Sequence, residues 1–257
     1  MAILNNYLSS YHHLLSMLVA TLNYNQPKLT DNLVNQLKRD NSFNQYDLMV
    51  VDNGSTKEKA KSTTHKLSKN LYFGGGLNEV LRYFLQTNHE YFVLFNNDLI
   101  FHGLRLIGNM VRELEENDLA LYSPSITNIG TDQCFWKQMW NWGTYSVRKV
   151  PFIDFMCPLF RRDLAEIIVQ FPQELFLGWG SDFYSGIIAE KHRLKIGVSD
   201  NITLSHLLSQ TFRTGAIEVK EKDFNQQADI NMHRYFYNSE YRDKFIEFYQ
   251  KGTQYKI

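Results

Sequence analysis

Short apolar runs alternate with helical patterns in the first half of this chain, and this alternation constrains the fold more than any other feature. The runs at 14–22, 46–51 and 91–95 are predicted to be buried strands. Pro27 opens a helical pattern after the first run, and Leu77 begins another before the third. Strands separated by helices predict a parallel sheet with helices on both faces, joined by right-handed crossovers. We therefore expect an α/β fold with a mostly parallel central sheet.

The remaining patterns predict less regular structure. In the first half we expect a helix over 57–67, a short strand over 71–73, a turn at Gly74-Gly75-Gly76, a helix over 104–117 and a strand over 119–122. Later we expect a strand over 150–155, helices over 163–169 and 181–192, and a C-terminal helix near 235–249. No linker, repeat or low-complexity block divides the chain. We expect one domain over 1–212, with halves of about 14–125 and 126–212, and a helical, aromatic C-terminal extension over 213–257 that packs on it.

Composition excludes several classes of protein. Lys plus Arg and Asp plus Glu both number 27, so no global field attracts nucleic acid or an anionic membrane. Cys134 and Cys157 are too few for a disulfide scaffold and favour two free thiols in a reducing compartment. The apolar runs are too short for a membrane-spanning helix, and the N-terminus lacks a secretory signal. We expect a soluble, cytoplasmic protein. The aromatic segment 135–142 is expected to form a sugar-binding wall or to pack in the fold, with contact to a membrane surface as the less favoured alternative.

Polar clusters follow three successive predicted strands. They are Asn23-Tyr24-Asn25, Asp52-Asn53-Gly54-Ser55 and Asn96-Asn97-Asp98. Because ligands bind outside the carboxyl ends of the strands in open α/β sheets, we expect the three clusters to share a crevice. A carboxylate with amide oxygens beside it can hold a hard divalent cation, which makes Asp98 the first candidate for a functional residue. Taken alone, the same residues are also typical of a strand-ending turn.

The order of these clusters resembles the family 2 glycosyltransferases of the GT-A fold, including the rhamnosyltransferase-like branch. Two further segments carry the resemblance, namely the run from Asn70 to Asn78 and the later Gly178-Trp179-Gly180-Ser181-Asp182. It spans roughly residues 15 to 210. It implies a GT-A domain whose first half binds a nucleoside-diphosphate sugar, UDP- or dTDP-linked, and whose second half binds an acceptor, with a saccharide as the expected acceptor.

The resemblance assigns donor-binding roles residue by residue. Tyr24 matches an aromatic position that stacks on the nucleobase, and Asp52 matches a carboxylate that hydrogen-bonds it; the structural alternative for Asp52 is a turn before Asn-Gly. The glycines would let the backbone approach the donor, with the alternative of a simple turn. The full set of expected donor-binding residues is Asn23, Tyr24, Asn25, Asp52, Gly75, Gly76, Asn78, Asn96 and Asn97.

The resemblance also implies a metal site. The Asn96-Asn97-Asp98 cluster matches the metal motif of the family, usually Asp-any-Asp, with Asn at the first position as in rhamnosyltransferase-like members. Asp98 would bind Mn²⁺ or Mg²⁺ bridging the donor diphosphate. His206 matches a histidine that completes this site or touches the diphosphate, although a histidine after a strand is often structural.

Asp182 is the residue that the resemblance implies for chemistry. It matches the second residue of a Glu-Asp pair whose carboxylate is the general base, and Ser181 replaces the Glu. Ser181 could instead cap a helix, with Asp182 favoured there by the helix dipole. Trp179 and Gly180 are expected at the acceptor, where the Trp could stack on a sugar or simply pack. One base and no second nucleophilic carboxylate favour a single displacement with inversion.

Three alternative functions were weighed against this one. The first predicted strand is not followed by Gly-any-Gly-any-any-Gly, which argues against a dinucleotide-dependent oxidoreductase. A degenerate, non-catalytic nucleotide-binding protein is supported by Asn96 and Ser181, which both replace acids. A transferase acting on hydroxymethylated bases of phage DNA is disfavoured by the neutral charge. The sequence leaves the donor sugar and the acceptor undetermined.

Overall fold

A computed structural model of the protein describes residues 16–40, 46–128, 136–208 and 210–254. It contains a central nine-stranded sheet, with eight strands in the order β3-β2-β1-β4-β8-β6-β9-β5 and β7 paired to β9. The strands are β1 (Met17–Asn23), β2 (Asp47–Asp52), β3 (His65–Lys66), β4 (Tyr91–Phe95), β5 (Leu99–Phe101), β6 (Leu121–Asn128), β7 (Val147–Lys149), β8 (Leu159–Arg161) and β9 (Ile196–His206).

Helices connect and cover these strands. Over the part of the chain that is described, they are α1 (Pro27–Arg39), α2 (Tyr72–Leu85), α3 (Leu106–Glu116), α4 (Arg162–Ile168), α5 (Ser181–Lys191), α6 (Gln210–Arg213), α7 (Glu221–Tyr237) and α8 (Arg242–Gln254). Short 3₁₀ turns lie at Lys137–Met139 and Gln173–Leu175. No helix in the described ranges is both long and apolar enough to cross a membrane.

The first half of the sheet is parallel, as the sequence predicts. Strand β1 lies between β2 and β4 and pairs in parallel with both. All three are apolar and largely buried, because sheets of this kind are covered on both faces. Asn23 is in register with Asp52, so the polar residues that end these strands meet at one edge of the sheet.

The second half adds antiparallel pairs to the sheet. Strand β8 runs antiparallel to both β4 and β6, while β6 and β9 pair in parallel with an irregularity between Pro124 and Ser125. Strand β5 is antiparallel to β9, with Leu99 in register with His206. This pairing brings the end of β9 beside Asp98, a neighbour in space that is more than a hundred residues away in sequence.

Three predictions about the segment 57–76 are wrong. Residues 57–67 form turns that end in β3 instead of a helix, because the Asp31 carboxylate accepts hydrogen bonds from the backbone N–H groups of Lys61 and Ser62 at 3.2 and 3.0 Å. Residues 71–73 are not a strand, and the three glycines are not a turn. Leu71 precedes α2 as its capping residue, and residues 72–76 form the first turns of this helix. A Cβ atom on Gly74 would be 2.3 Å from the carbonyl oxygen of Leu175, so the helix packs closely there.

Two predictions in the second half are also wrong. Residues 150–155 form no strand; the segment is irregular but buries Phe152 and Ile153 in the core. The single C-terminal helix is in fact α7 and α8, because the chain turns at Ser239, whose hydroxyl accepts the backbone N–H of Tyr241 at 3.2 Å.

The C-terminal helices pack on the core through aromatic rings. The Phe183 ring of α5 contacts Phe236 of α7 and Phe245 of α8, at centroid distances of 6.4 and 5.2 Å. Phe152 adds a third contact to Phe183 at 4.3 Å. The extension is therefore helical, as the sequence predicts. The thiol of Cys157 is free and buried, and burial raises its pKa; Cys134 lies outside the described residues.

Candidate functional site

A cleft of about 660 Å³ opens at the carboxyl ends of β1 and β4. It is bounded by the end of β9, by the start of α5 and by one face of α7. The predicted site residues that line it are Tyr24, Asn96, Asn97, Asp98, Trp179, Gly180, Asp182 and His206. The fold thus brings the first strand, the Asn-Asn-Asp cluster, the predicted base and the predicted metal histidine to one cavity.

Asp98 and His206 form a pair on the floor of this cleft. The His206 Nε2 atom lies 3.2 Å from Asp98 Oδ2, and both side chains are about nine-tenths buried. The backbone N–H of Leu207 also donates to the Asp98 carbonyl at 3.0 Å, which fixes the two strands together. Burial would lower the pKa of His206, but the hydrogen bond and charge of Asp98 outweigh it, so that the pKa is raised.

A carboxylate oxygen and an imidazole nitrogen are suitable ligands for Mn²⁺. Among the residues that the structure describes, no group of three or more His, Cys, Asp or Glu side chains could hold a metal. Asp98 and His206 supply one carboxylate and one imidazole side by side. Asn97 is engaged elsewhere, since its amide donates to the Thr30 hydroxyl at 3.0 Å.

Asp182 lies in the first turn of α5 and lines the cleft. Gly180 precedes this helix with a φ of +94°, a conformation that suits glycine. The Asp182 carboxylate accepts the backbone N–H of Phe183 at 2.9 Å. Removal from solvent, followed by the negative charge of Asp154, raises the pKa of Asp182 to about 7.

Ser181 is not the cap of this helix. The capping position is Gly180, and Ser181 is the first helical residue, with its side chain fully buried. In the described part of the chain, the Ser181 hydroxyl oxygen has no hydrogen-bond partner. The alternative in which Ser181 caps the helix is therefore wrong.

Asp154 is a site residue that sequence reasoning missed. It lies in the irregular segment before β8 and lines the cleft with Asp182 and His206. Burial raises the pKa of Asp154, and its negative charge in turn acts on His206 and Asp182. No sequence signal marked it, because a single Asp in a predicted strand has no motif around it.

Three predicted donor-binding residues, Asn23, Asn25 and Asp52, do not line the cleft and form hydrogen bonds within the fold. The amide of Asn23, fully buried, donates to Asp52 Oδ1 at 3.2 Å, and Asp52 is 1% exposed. Lys59 approaches the other oxygen of Asp52, with Nζ at 3.9 Å. Asn25 accepts the backbone N–H of Lys57 at 2.9 Å and donates to the Ala216 carbonyl at 3.0 Å.

Gly75, Gly76 and Asn78 lie in α2 and do not line the cleft. A Cβ on Gly76 would be 2.7 Å from a methyl of Leu22, so this glycine allows α2 to pack closely on β1. The Asn78 amide donates to the Phe171 carbonyl at 3.1 Å and accepts the Phe171 N–H at 2.8 Å. The contacts of Gly76 and Asn78 therefore hold α2 against other parts of the fold and do not involve the cleft.

Tyr72 is a second residue that the sequence did not mark. It lines the cleft and has a φ of +57°, which is rare for a bulky residue and is often found at functional sites. The Asn70 side chain accepts the Tyr72 N–H at 2.7 Å, and the Asn53 amide donates to the Tyr72 carbonyl at 2.9 Å. These two bonds hold the unusual backbone.

Comparisons with known proteins agree with this architecture. Residues 18–166, more than half of the chain, match the family described as Glycosyl transferase family 2. No curated protein matches the chain. Among solved structures, residues 1–349 of TarS from S. aureus, in complex with UDP-GlcNAc, share 15% identity and a TM-score of 0.60 over 93% of this chain and 72% of that one.

Two further structures contain Mn²⁺. The mannosyltransferase PcManGT from Pyrobaculum calidifontis, in complex with GDP-Man and Mn²⁺, is 16% identical with a TM-score of 0.57 over 76% of this chain. GalNAc-T7 with UDP, GalNAc and Mn²⁺ is 9% identical with a TM-score of 0.61 over 74% of it. The chain spans 57% and 43% of the lengths of these two proteins. On the strength of the family match and the shared fold, the chain belongs to glycosyl transferase family 2 and has the fold of the GT-A glycosyltransferases.

Proposed function

We propose that this protein is an inverting, metal-dependent glycosyltransferase of the rhamnosyltransferase-like branch, which moves a sugar from a nucleoside-diphosphate sugar to an acceptor hydroxyl. One observation carries the proposal. Asp182 lines the same cleft as the Asp98–His206 pair, and the pKa of its half-buried carboxylate is raised to about 7. Perturbed carboxylates in clefts are frequent at active sites.

Asp182 is the proposed general base. A sugar hydroxyl is a weak nucleophile at neutral pH, so its proton passes to the Asp182 carboxylate as its oxygen attacks the anomeric carbon. The new carbon–oxygen bond forms as the bond to the departing phosphate oxygen breaks, which inverts the anomeric centre. A base with a pKa near the working pH is the most effective, and general-base catalysis contributes about 10²–10⁴-fold.

Asp98 and His206 would hold the metal ion. Their oxygen and nitrogen donors fit Mn²⁺, and Mg²⁺ would suit the carboxylate. The Mn²⁺ in two structures of the same fold supports this choice. When bound, the cation supplies positive charge for the diphosphate of the donor.

The donor base would lie beside Tyr24, near the end of β2 where Asp52 is located. Tyr24 lines the cleft and would stack on the base. Asp52 would accept its imide N–H, with Asn23 and Asn25 holding the loops around it. We favour a uridine or thymidine nucleotide because its imide N–H matches the Asp52 carboxylate; two of the compared structures contain UDP or UDP-GlcNAc, and a third contains GDP-Man.

Thermal unfolding with nucleoside diphosphates and nucleotide sugars, each with and without Mn²⁺, tests the proposal. A ligand at a hundred times its dissociation constant stabilises by about 2.7 kcal/mol, which gives a readily measured shift. We expect a Mn²⁺-dependent shift with one nucleotide. Asp182→Asn should keep this shift and lose sugar transfer by about 10²-fold or more. Nucleotide binding without donor hydrolysis or transfer would support a non-catalytic protein instead.

A further inference from the structure

One face of α7 forms part of the wall of the cleft. Phe224, Asn225 and Asp229 of this helix line the cavity. The helix also packs against Gly180, because a Cβ there would be 3.0 Å from Met232 and 3.2 Å from Phe236. The wall therefore rests on the loop that positions Asp182. It lies outside residues 18–166, the part of the chain that the family match covers.

Aromatic rings line the cleft next to this wall. The Phe224 ring lies 6.3 Å from Tyr72 and 5.4 Å from Phe212, centroid to centroid. Trp179 also lines the cleft and is 42% exposed, so part of its ring is open to a ligand. Aromatic surfaces with a few polar groups among them are typical of pockets for small ring-shaped ligands.

The ionisable side chains on the cleft walls are nearly all acidic. Its lining carries the five carboxylates of Asp98, Asp154, Asp182, Glu221 and Asp229. Within the described residues, no Lys or Arg belongs to this lining, and His206 is its one basic side chain. Sites that recognise phosphate or carboxylate groups usually provide Arg or Lys. The bound Mn²⁺ would offset the charge of the donor diphosphate, and the remaining carboxylates would keep the loaded cleft unfavourable for a second anion.

We propose that the α7 face with Phe224, Asn225 and Asp229, together with Trp179, is the acceptor subsite and selects an uncharged saccharide. This inference rests on the proposed transferase function. The rings cover one face of the sugar, and the Asn225 amide and the Asp229 carboxylate receive its hydroxyl groups. A phosphate, a carboxylate or a DNA backbone in the same place meets like charges, which suppress the wrong partner.

The test uses the full chain with Mn²⁺, the nucleotide sugar selected by the binding experiment and matched acceptors. Neutral methyl glycosides are compared with their 6-phosphates and with the corresponding uronic acids, and a DNA duplex containing hydroxymethylcytosine is included. Transfer is measured by mass spectrometry, and donor hydrolysis by release of the nucleoside diphosphate. We expect kcat/KM for the neutral glycosides to exceed that of their anionic counterparts by about tenfold or more.

Asp229→Asn should reduce the preference for neutral over anionic acceptors by about 3- to 10-fold, because one of the repelling charges is gone. Asp223→Asn, an exposed acid on the same helix that does not line the cleft, is the matched control and should keep the ratio. Glu221→Gln provides a second cleft variant if Asp229→Asn fails to fold.

The outcomes separate the two proposals. Preferred transfer to the anionic set or to DNA would overturn the acceptor assignment, as would donor hydrolysis without transfer to any neutral glycoside. An unchanged ratio in both cleft variants would remove α7 from acceptor selection. Absence of both nucleotide binding and donor hydrolysis would instead refute the transferase function.

Discussion

At the residue scale, the pH dependence of the reaction depends on Asp182 and its neighbour Asp154. Loss of solvent and the charge of Asp154 raise the pKa of Asp182 from 3.8 to about 7. The base must be deprotonated to accept a proton. We therefore expect kcat/KM to fall about tenfold per pH unit below 7 and to level off above it. A pH–rate profile checks this; a rate that stays constant from pH 5 to 8 would exclude Asp182 as the base.

The same shift affects the free energy of unfolding. The pKa of Asp182 is higher in the folded protein than its ordinary value of 3.8, so the folded state binds the proton more tightly than the unfolded state. The resulting contribution to the free energy of unfolding is fully present below pH 3.8 and is lost as the pH rises through about 7. Above pH 7 the folded wild type carries a poorly solvated negative charge on Asp182, whereas the amide of Asp182→Asn is uncharged. The melting temperature of Asp182→Asn, relative to the wild type, should therefore be higher at pH 8 than at pH 5.

A further prediction concerns the metal ligands. Asp98→Asn replaces a charged oxygen donor by a neutral amide, so we expect the Mn²⁺-dependent part of nucleotide binding to be lost. Binding through Tyr24 and Asp52 without metal should remain. Titration calorimetry of the nucleoside diphosphate with and without Mn²⁺ measures both parts. Asp243→Asn, an exposed acid on α8, is the control, and equal Mn²⁺ dependence in the two variants would contradict the assignment.

The sequence predicted some residues of the candidate site and missed others for a physical reason. Asp98, Asp182 and His206 lie where a strand ends or a helix begins, and there local pattern and position in the fold are linked. Asp154 and Tyr72 reach the cleft only through tertiary structure. Asp154 lies in an irregular buried segment, and Tyr72 depends on side chains from a neighbouring loop for its backbone conformation.

At the element scale, the start of α2 shows tertiary packing overriding local propensity. Three consecutive glycines favour a turn, because glycine is unfavourable in a helix by about 1 kcal/mol relative to alanine. The helix forms because it packs against the 3₁₀ turn at Gln173–Leu175, where the Gly74 N–H also donates to the Phe176 carbonyl at 2.8 Å. Local patterns contain no information about that distant contact.

This packing yields a prediction of its own. Gly74→Ala would place a methyl group 2.3 Å from the Leu175 carbonyl oxygen, so helix and turn must separate. Overpacking of this kind costs about 1–3 kcal/mol, which exceeds the gain in helix propensity. The melting temperature of Gly74→Ala should therefore fall. A raised melting temperature, which helix propensity alone would give, would show that the contact between helix and turn is not tight. Since the turn precedes Gly180 and Asp182, transfer should also weaken.

At the scale of the whole molecule, the parallel half of the sheet was predictable and the mixed half was not. Buried parallel strands such as β1 and β4 are continuous apolar runs that a sequence shows directly. Strands β5, β7 and β8 have three residues each, too few for a periodic pattern. Their antiparallel pairing is decided by contacts between distant segments, and it is this pairing that brings His206 to Asp98.

The C-terminal helices should belong to the same folding unit as the sheet. Phe236, Phe245 and Phe248 are almost fully buried, and each such side chain contributes about 1.5–3 kcal/mol. Their combined burial is comparable to the whole net stability of a domain, about 5–15 kcal/mol. A chain ending at Lys220 would lose them and expose Phe183, so we expect it to show no cooperative thermal transition.

A chain ending at Gln254, which keeps both helices, is the control for this truncation. It should melt in one transition at the temperature of the full chain, measured by calorimetry. The short chain should instead bind a hydrophobic dye and precipitate, because the aromatic face of α5 is then open to solvent. If the chain ending at Lys220 melted cooperatively and still bound the nucleotide, the C-terminal helices would be an accessory layer. Acceptor selection by α7 would then be tested by adding a peptide of residues 221–254 to the chain that ends at Lys220.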